Sequence, residues 1–117
     1  MDEVCKLKGE YSLRELSINH ALDIISGKWK LPILWEVSRH KSIRFNQLQK
    51  NLDGISSLML TRSLKELVDK KLILRVQYNE VPPHVEYSIT ELGKKLCPIL
   101  HAIEDWGKAV IDAQKEN

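Results

Sequence analysis

Cysteine is scarce in this chain. There are two, Cys5 and Cys97, far apart and without CxxC or Cys/His spacing. That pattern argues against a disulfide framework or a zinc site and reads as two free thiols. A cysteine in an apolar helix is usually a small core residue, which suits Cys97. No apolar run approaches the roughly 20 residues of a membrane span. The N-terminus, MDEVCKLKGEY, is charged and lacks the apolar stretch of a signal peptide, so a cytoplasmic protein without a membrane partner is expected. No phosphate loop, metal-ligand cluster or nucleophile beside a base is visible. His20, His40, His84 and His101 are scattered, and none stands four residues from another. No enzyme activity, cofactor or metal is therefore expected. Repeats, low-complexity tracts and flexible linkers are missing too.

What remains is one small domain of 117 residues, 43% apolar and 29% charged, a globular composition. A domain of this size often adds burial by oligomerising. The net charge of +2 hides a pattern. Residues 1–27 carry three Lys/Arg and five Asp/Glu, residues 28–75 eleven and four, and residues 76–117 four and seven. A basic block thus lies between two acidic flanks, as expected if the middle of the chain meets phosphates. The alternative is a cluster of solvated lysines.

Residues 1–11 read as an N-terminal arm. A helix follows over 17–26, with an apolar stripe at Ile18, Ala21, Leu22 and Ile25, and Gly27 ends it. A second helix spans 30–39, with Pro32 in its first turn and Ile33, Leu34 and Val37 buried. A short extended piece covers 42–44. Phe45, Leu48 and Leu52 mark a short helix over 45–52, and Asp53-Gly54 is a turn. Ser56 or Ser57 caps a helix running to about Lys71, with Leu60, Leu64, Leu67 and Val68 on one face. Ile73–Tyr78 and Val85–Ile89 are strands joined through Pro82-Pro83, and a last helix runs from Thr90 to about Ala113. Pro98 should kink that helix or divide it. The order is that of a winged helix-turn-helix, mainly α with a small β-wing: helix-turn-helix 45–71, wing 73–89 and a C-terminal dimerisation helix 91–113.

The helix over 57–71 leads into what should be a basic hairpin, a combination suited to reading DNA. With Leu60, Leu64 and Leu67 inside, Leu58, Arg62, Lys65 and Asp69 fall opposite. Recognition helices contact bases through their first turns, so Ser56, Ser57, Leu58, Thr61, Arg62 and Lys65 are the candidates. Arg62 could grip guanine with two hydrogen bonds. Leu58 could sit on a thymine methyl, or pack against the wing or a neighbouring chain. Ser56 and Ser57 could bind phosphate, cap the helix, or both. Lys28, Lys30, Arg44 and Lys50 are candidate backbone contacts. Asn79 and His84 belong to the wing, with His84 either on phosphate or merely a solvated turn residue.

Leu92, Leu96, Ile99, Ile103, Trp106 and Val110 recur at heptad-like steps. That seam calls for a second copy of the chain, for residues 17–35 of its own chain, or for part of each. A small-molecule effector could lie between the dimer helices beside Trp29, Trp35 or Trp106; the alternative is that these tryptophans are core.

The strings ALDIISGKWKLPIL, RFNQLQKNLDGISSLMLTRSLKEL, VPPHVEYSITELGKKL and ILHAIEDWG together resemble the HxlR-type bacterial transcription regulators, relatives of the MarR group. The resemblance covers roughly residues 17–107. It implies a dimeric winged-helix DNA-binding protein that regulates stress or metabolic genes, as repressor or activator, from a pseudo-palindromic operator. It places Ser56, Ser57, Leu58, Thr61 and Arg62 at the start of the recognition helix and Pro82-Pro83-His84 in the wing. Many members carry a Cys-Pro pair before the ALD string, where this chain has Leu16 and Ser17, and in some that thiol senses oxidants. Cys5 lies further upstream, which puts a redox role for it in doubt. Members commonly have a basic or polar residue where this chain has Leu58. A winged-helix module that binds a protein partner without reading DNA is the competing expectation.

Overall fold

In the computed structural model, residues 17–115 are described. The elements run α1 (Ser17–Ile25), α2 (Lys30–Ser38), β1 (Ile43–Arg44), α3 (Phe45–Asn51), α4 (Ser57–Asp69), β2 (Ile73–Tyr78), β3 (His84–Ile89), α5 (Glu91–Lys94) and α6 (Cys97–Lys115). The three strands form one antiparallel sheet in the order β1-β3-β2. Arg75 faces Tyr87 across β2 and β3, and Ile43 faces Tyr87 across β1 and β3. This is a winged helix-turn-helix. No helix among the described residues is long and apolar enough to cross a membrane.

The core lies where α2, α3 and α4 meet the base of the sheet. Ile33, Leu34, Val37, Leu48, Leu60 and Leu67 are fully buried there. Burying such a side chain contributes about 1.5–3 kcal/mol each. One charged group joins them: Glu36 of α2 is buried and accepts hydrogen bonds from Asn51 Nδ2 (2.9 Å), His40 Nε2 (3.2 Å) and Arg39 (3.4 Å). The Asn51 bond ties α2 to the end of α3. A buried carboxylate with several donors keeps its charge satisfied, so the knot holds the two helices in one relation.

The turn between α3 and α4 passes through Gly54 at φ +90°, a conformation that glycine adopts without penalty. At its other end α4 closes in a Schellman turn: Leu72 N–H bonds to the Leu67 carbonyl (3.0 Å) and Lys71 N–H to the Val68 carbonyl (2.9 Å). The residue in the left-handed position is Lys71, at φ +67°, where glycine is usual. The Leu72 carbonyl is then gripped from α5. The Thr90 hydroxyl donates to it (3.1 Å) and to the Lys71 carbonyl (2.7 Å), and Thr90 N–H donates to it as well (3.1 Å). Gly93 packs so closely that a Cβ would lie 2.4 Å from that oxygen. The start of α5 is thus clamped to the end of α4.

The last helix is divided, one of the two outcomes expected of Pro98: α5 and α6 are separate, with Pro98 in the first turn of α6, where no backbone donor is needed. Leu92 therefore sits on a different helix from Ile99 and Ile103. The apolar stripe of α1 is left largely open by the other described residues. Ile18, Ala21 and Leu22 are exposed and Ile25 is half-buried. The N-terminal arm and Cys5 lie outside the described residues.

Candidate nucleic-acid interface

The start of α4 is built to be rigid. Ser56 Oγ accepts from the Met59 N–H (3.1 Å), the N-cap bond that satisfies an otherwise orphaned donor. Gln49 of α3 reaches across the turn, donating to the Ile55 carbonyl (3.3 Å) and to Ser57 Oγ (3.1 Å). Nothing in the spacing pointed to Gln49. The Thr61 hydroxyl donates back to the Ser57 carbonyl (2.8 Å), which fixes its rotamer while leaving its methyl and lone pairs on the outer face.

Ser57, Leu58, Thr61, Arg62 and Lys65 are all exposed and project from one side of α4. Leu58 is 60% exposed, so packing against its own wing is ruled out as its role within the chain. Lys28, Arg44 and Lys50 are exposed, and Lys28 lines a cleft with Met59 and Arg62 of α4. The Lys28 ammonium lies 5.0 Å from the centre of the Trp29 ring. Arg75, the last cation of the basic block and not among the expected contacts, faces α4 across a cleft of about 300 Å³ that it shares with Thr61, Lys65 and Tyr87.

Three candidates are placed differently from expectation. Lys30 is not a free surface cation: its ammonium is 2.5 Å from Glu66 of α4. His84 is not a solvated turn residue but lies at the start of β3, stacked on Tyr78 with ring centroids 4.8 Å apart. Its Nε2 donates to Glu86 (2.9 Å), and Glu80 stands 3.8 Å from its Nδ1. Nor is the hairpin basic. Arg75 stands at its base, and from Val76 to Thr90 there is no Lys or Arg, only Glu80 and Glu86 among charged residues. Donation from Ser42 and His84 holds the Glu86 carboxyl below its ordinary value, so it is charged at neutral pH. The exposed wing tip presents Asn79, Glu80 and Val81, the last fully exposed, beside a cis Val81–Pro82 bond.

Residues 24–115 match the HxlR-like helix-turn-helix family. The chain belongs to that family. A relative named as a regulatory protein, MalR, from Fusobacterium mortiferum is 47% identical over 92 residues, 79% of this chain and 87% of that protein. A solved MarR-family transcriptional regulator from Porphyromonas gingivalis W83 superposes with a TM-score of 0.79 at 40% identity, covering 86% of this chain and 97% of that one. The reduced form of the redox regulator HypR superposes with a TM-score of 0.78 at 35% identity, covering 86% and 98%.

The expected seam is distributed over three environments. Leu96 packs on the core and Val110 is half-buried, while Leu92, Ile99, Ile103 and Trp106 are exposed. α6 leans on α2 through buried Leu100 and through His101, which meets the Trp35 ring edge-on at 5.2 Å. Ile99, Ile103 and Trp106, the last 70% exposed, line an open apolar trough. Trp29 lines the cleft beside Lys30, and Trp106 lines the trough. Among the described residues no group of three or more His, Cys, Asp or Glu is arranged to hold a metal ion.

Proposed function

We propose that this protein regulates transcription by binding double-stranded DNA as a homodimer at an inverted repeat, with one α4 in the major groove of each half-site. The observation that carries the reading is the outer face of α4. Ser57, Leu58, Thr61, Arg62 and Lys65 stand exposed on a helix whose first turn is pinned by Ser56 and Gln49. Lys28 and Arg75 beside the helix, with exposed Arg44 and Lys50, supply positive charge for the phosphates. The second copy is inferred from the apolar side chains left outside: Ile18 and Leu22 of α1 and Ile99, Ile103 and Trp106 of α6. The relatives named as transcriptional regulators support the same reading. Because the wing carries Glu80 and Glu86, its contact with DNA runs through Asn79 and the base of the hairpin rather than through a basic tip.

Binding-site selection from random duplex DNA tests this. The expected result is an inverted repeat, and Arg62→Ala should relax base choice at one position per half-site, a loss of about 1–3 kcal/mol of discrimination. Recovery of no motif by a protein that remains dimeric would overturn sequence-specific reading.

A further inference from the structure

Glu66 is an acid on the face that α4 turns towards DNA. It stands one turn beyond Arg62 and lines, with Lys28, Lys30, Met59 and Arg62, a cleft of about 500 Å³ between the start of α2 and α4. Its partner Lys30 is the more enclosed of the two, with its side chain 18% exposed against 56% for Glu66. The Lys30 ammonium, donating to the carboxylate, holds Glu66 below its ordinary value. An ion pair this open to solvent contributes little to folding. Its consequence for a polyanion is larger. The pair cancels one of the cations nearest the recognition helix and leaves a carboxylate beside the arginine that meets the bases.

Resting on the reading of α4 as the recognition helix, we propose that Glu66 is a specificity-determining residue that withholds Lys30 from phosphate. Phosphate contacts add affinity for every duplex alike and carry no sequence information. A non-specific complex can slide and turn to use any cation on offer. The specific complex is fixed in register by its base contacts and can use only a cation that meets a phosphate there. Withholding Lys30 therefore lowers non-specific binding more than operator binding, and base contacts decide a larger share of the outcome.

The test compares wild type, Glu66→Gln and the double variant Glu66→Gln/Lys30→Met for binding to random duplex and to the selected operator across a salt series. Glu66→Gln keeps the shape of the side chain and removes its charge. Each freed cation steepens the logarithmic salt dependence by about 0.9, which is about a fivefold gain at 0.15 M salt per protomer. Random-duplex affinity should rise by about that factor for each protomer bound, operator affinity by less, and the ratio of operator to random-duplex affinity should fall. The double variant, with net charge restored, should return to the wild-type slope. An unchanged slope or a weaker complex with Glu66→Gln overturns the proposal, as does a double variant that keeps the gain. If the wild type shows no salt-dependent DNA binding at all, the DNA-binding reading itself fails, a result distinct from these.

Discussion

α4 and α6 carry the same kind of stripe and treat it in opposite ways. In α4, Leu60, Leu64 and Leu67 repeat at steps of four and three and are buried inside their own chain. In α6, Ile99, Ile103 and Trp106 repeat at the same steps and remain exposed, while a single residue, Leu100, is buried. The spacing is equally good in both, so periodicity announces a face that needs cover without saying what covers it. What differs is position in the chain. α4 is flanked on both sides by elements that fold back over it, whereas α6 follows the sheet and leans mainly on α2.

Breaking the covered face should cost the most. Leu64→Ala removes a buried side chain from a packed site and should destabilise folding by about 2–5 kcal/mol, read as a lower denaturation midpoint. A change below about 1 kcal/mol would mean that α4 is not held by its own chain. Next comes the open face. Ile103→Asp should leave the folding midpoint of the monomer near wild type, convert the dimer to monomer in sedimentation, and weaken operator binding about a hundredfold through loss of the second half-site. If instead it lowers stability as Leu64→Ala does, the two helices are alike and the contrast collapses. The smallest effect concerns the end of α4. Lys71→Gly removes a left-handed non-glycine residue and should stabilise the domain by about 0.5 kcal/mol, the relief at φ +67° being partly offset by the greater freedom of glycine in the unfolded chain. Calorimetry showing a loss would mean that the Lys71 side chain makes up for the strain.

The residues that share one element were legible in advance. Leu60, Leu64 and Leu67, a serine cap at Ser56 or Ser57, the strand pair and a kink or break near Pro98 all follow from local rules, since each depends on neighbours a few positions away. Relations between elements were not. Lys30 and Glu66 are separated by more than thirty residues, and both read as ordinary surface charges. Arg75 counted in the basic block, but only the fold brings it across the cleft from Lys65. His84 had no visible partner until the hairpin placed Tyr78 opposite it in register. The apolar stripe of α1 marked a face without saying what covers it, because nothing local distinguishes a face on which other elements pack from one left open.

The clamp on the Leu72 carbonyl makes α6 a lever. Thr90 and Gly93 fasten one side of the joint to the end of α4, and beyond the short α5 the arm of α6 extends 19 residues, about 28 Å at the helical rise. A rotation of about 5° at the joint displaces the far end of such an arm by about 2.4 Å. In the proposed dimer, with two copies meeting along that arm, a small change of angle at one carbonyl would be magnified into the distance between their two reading heads, and the pitch of DNA would be the ruler against which that distance is measured.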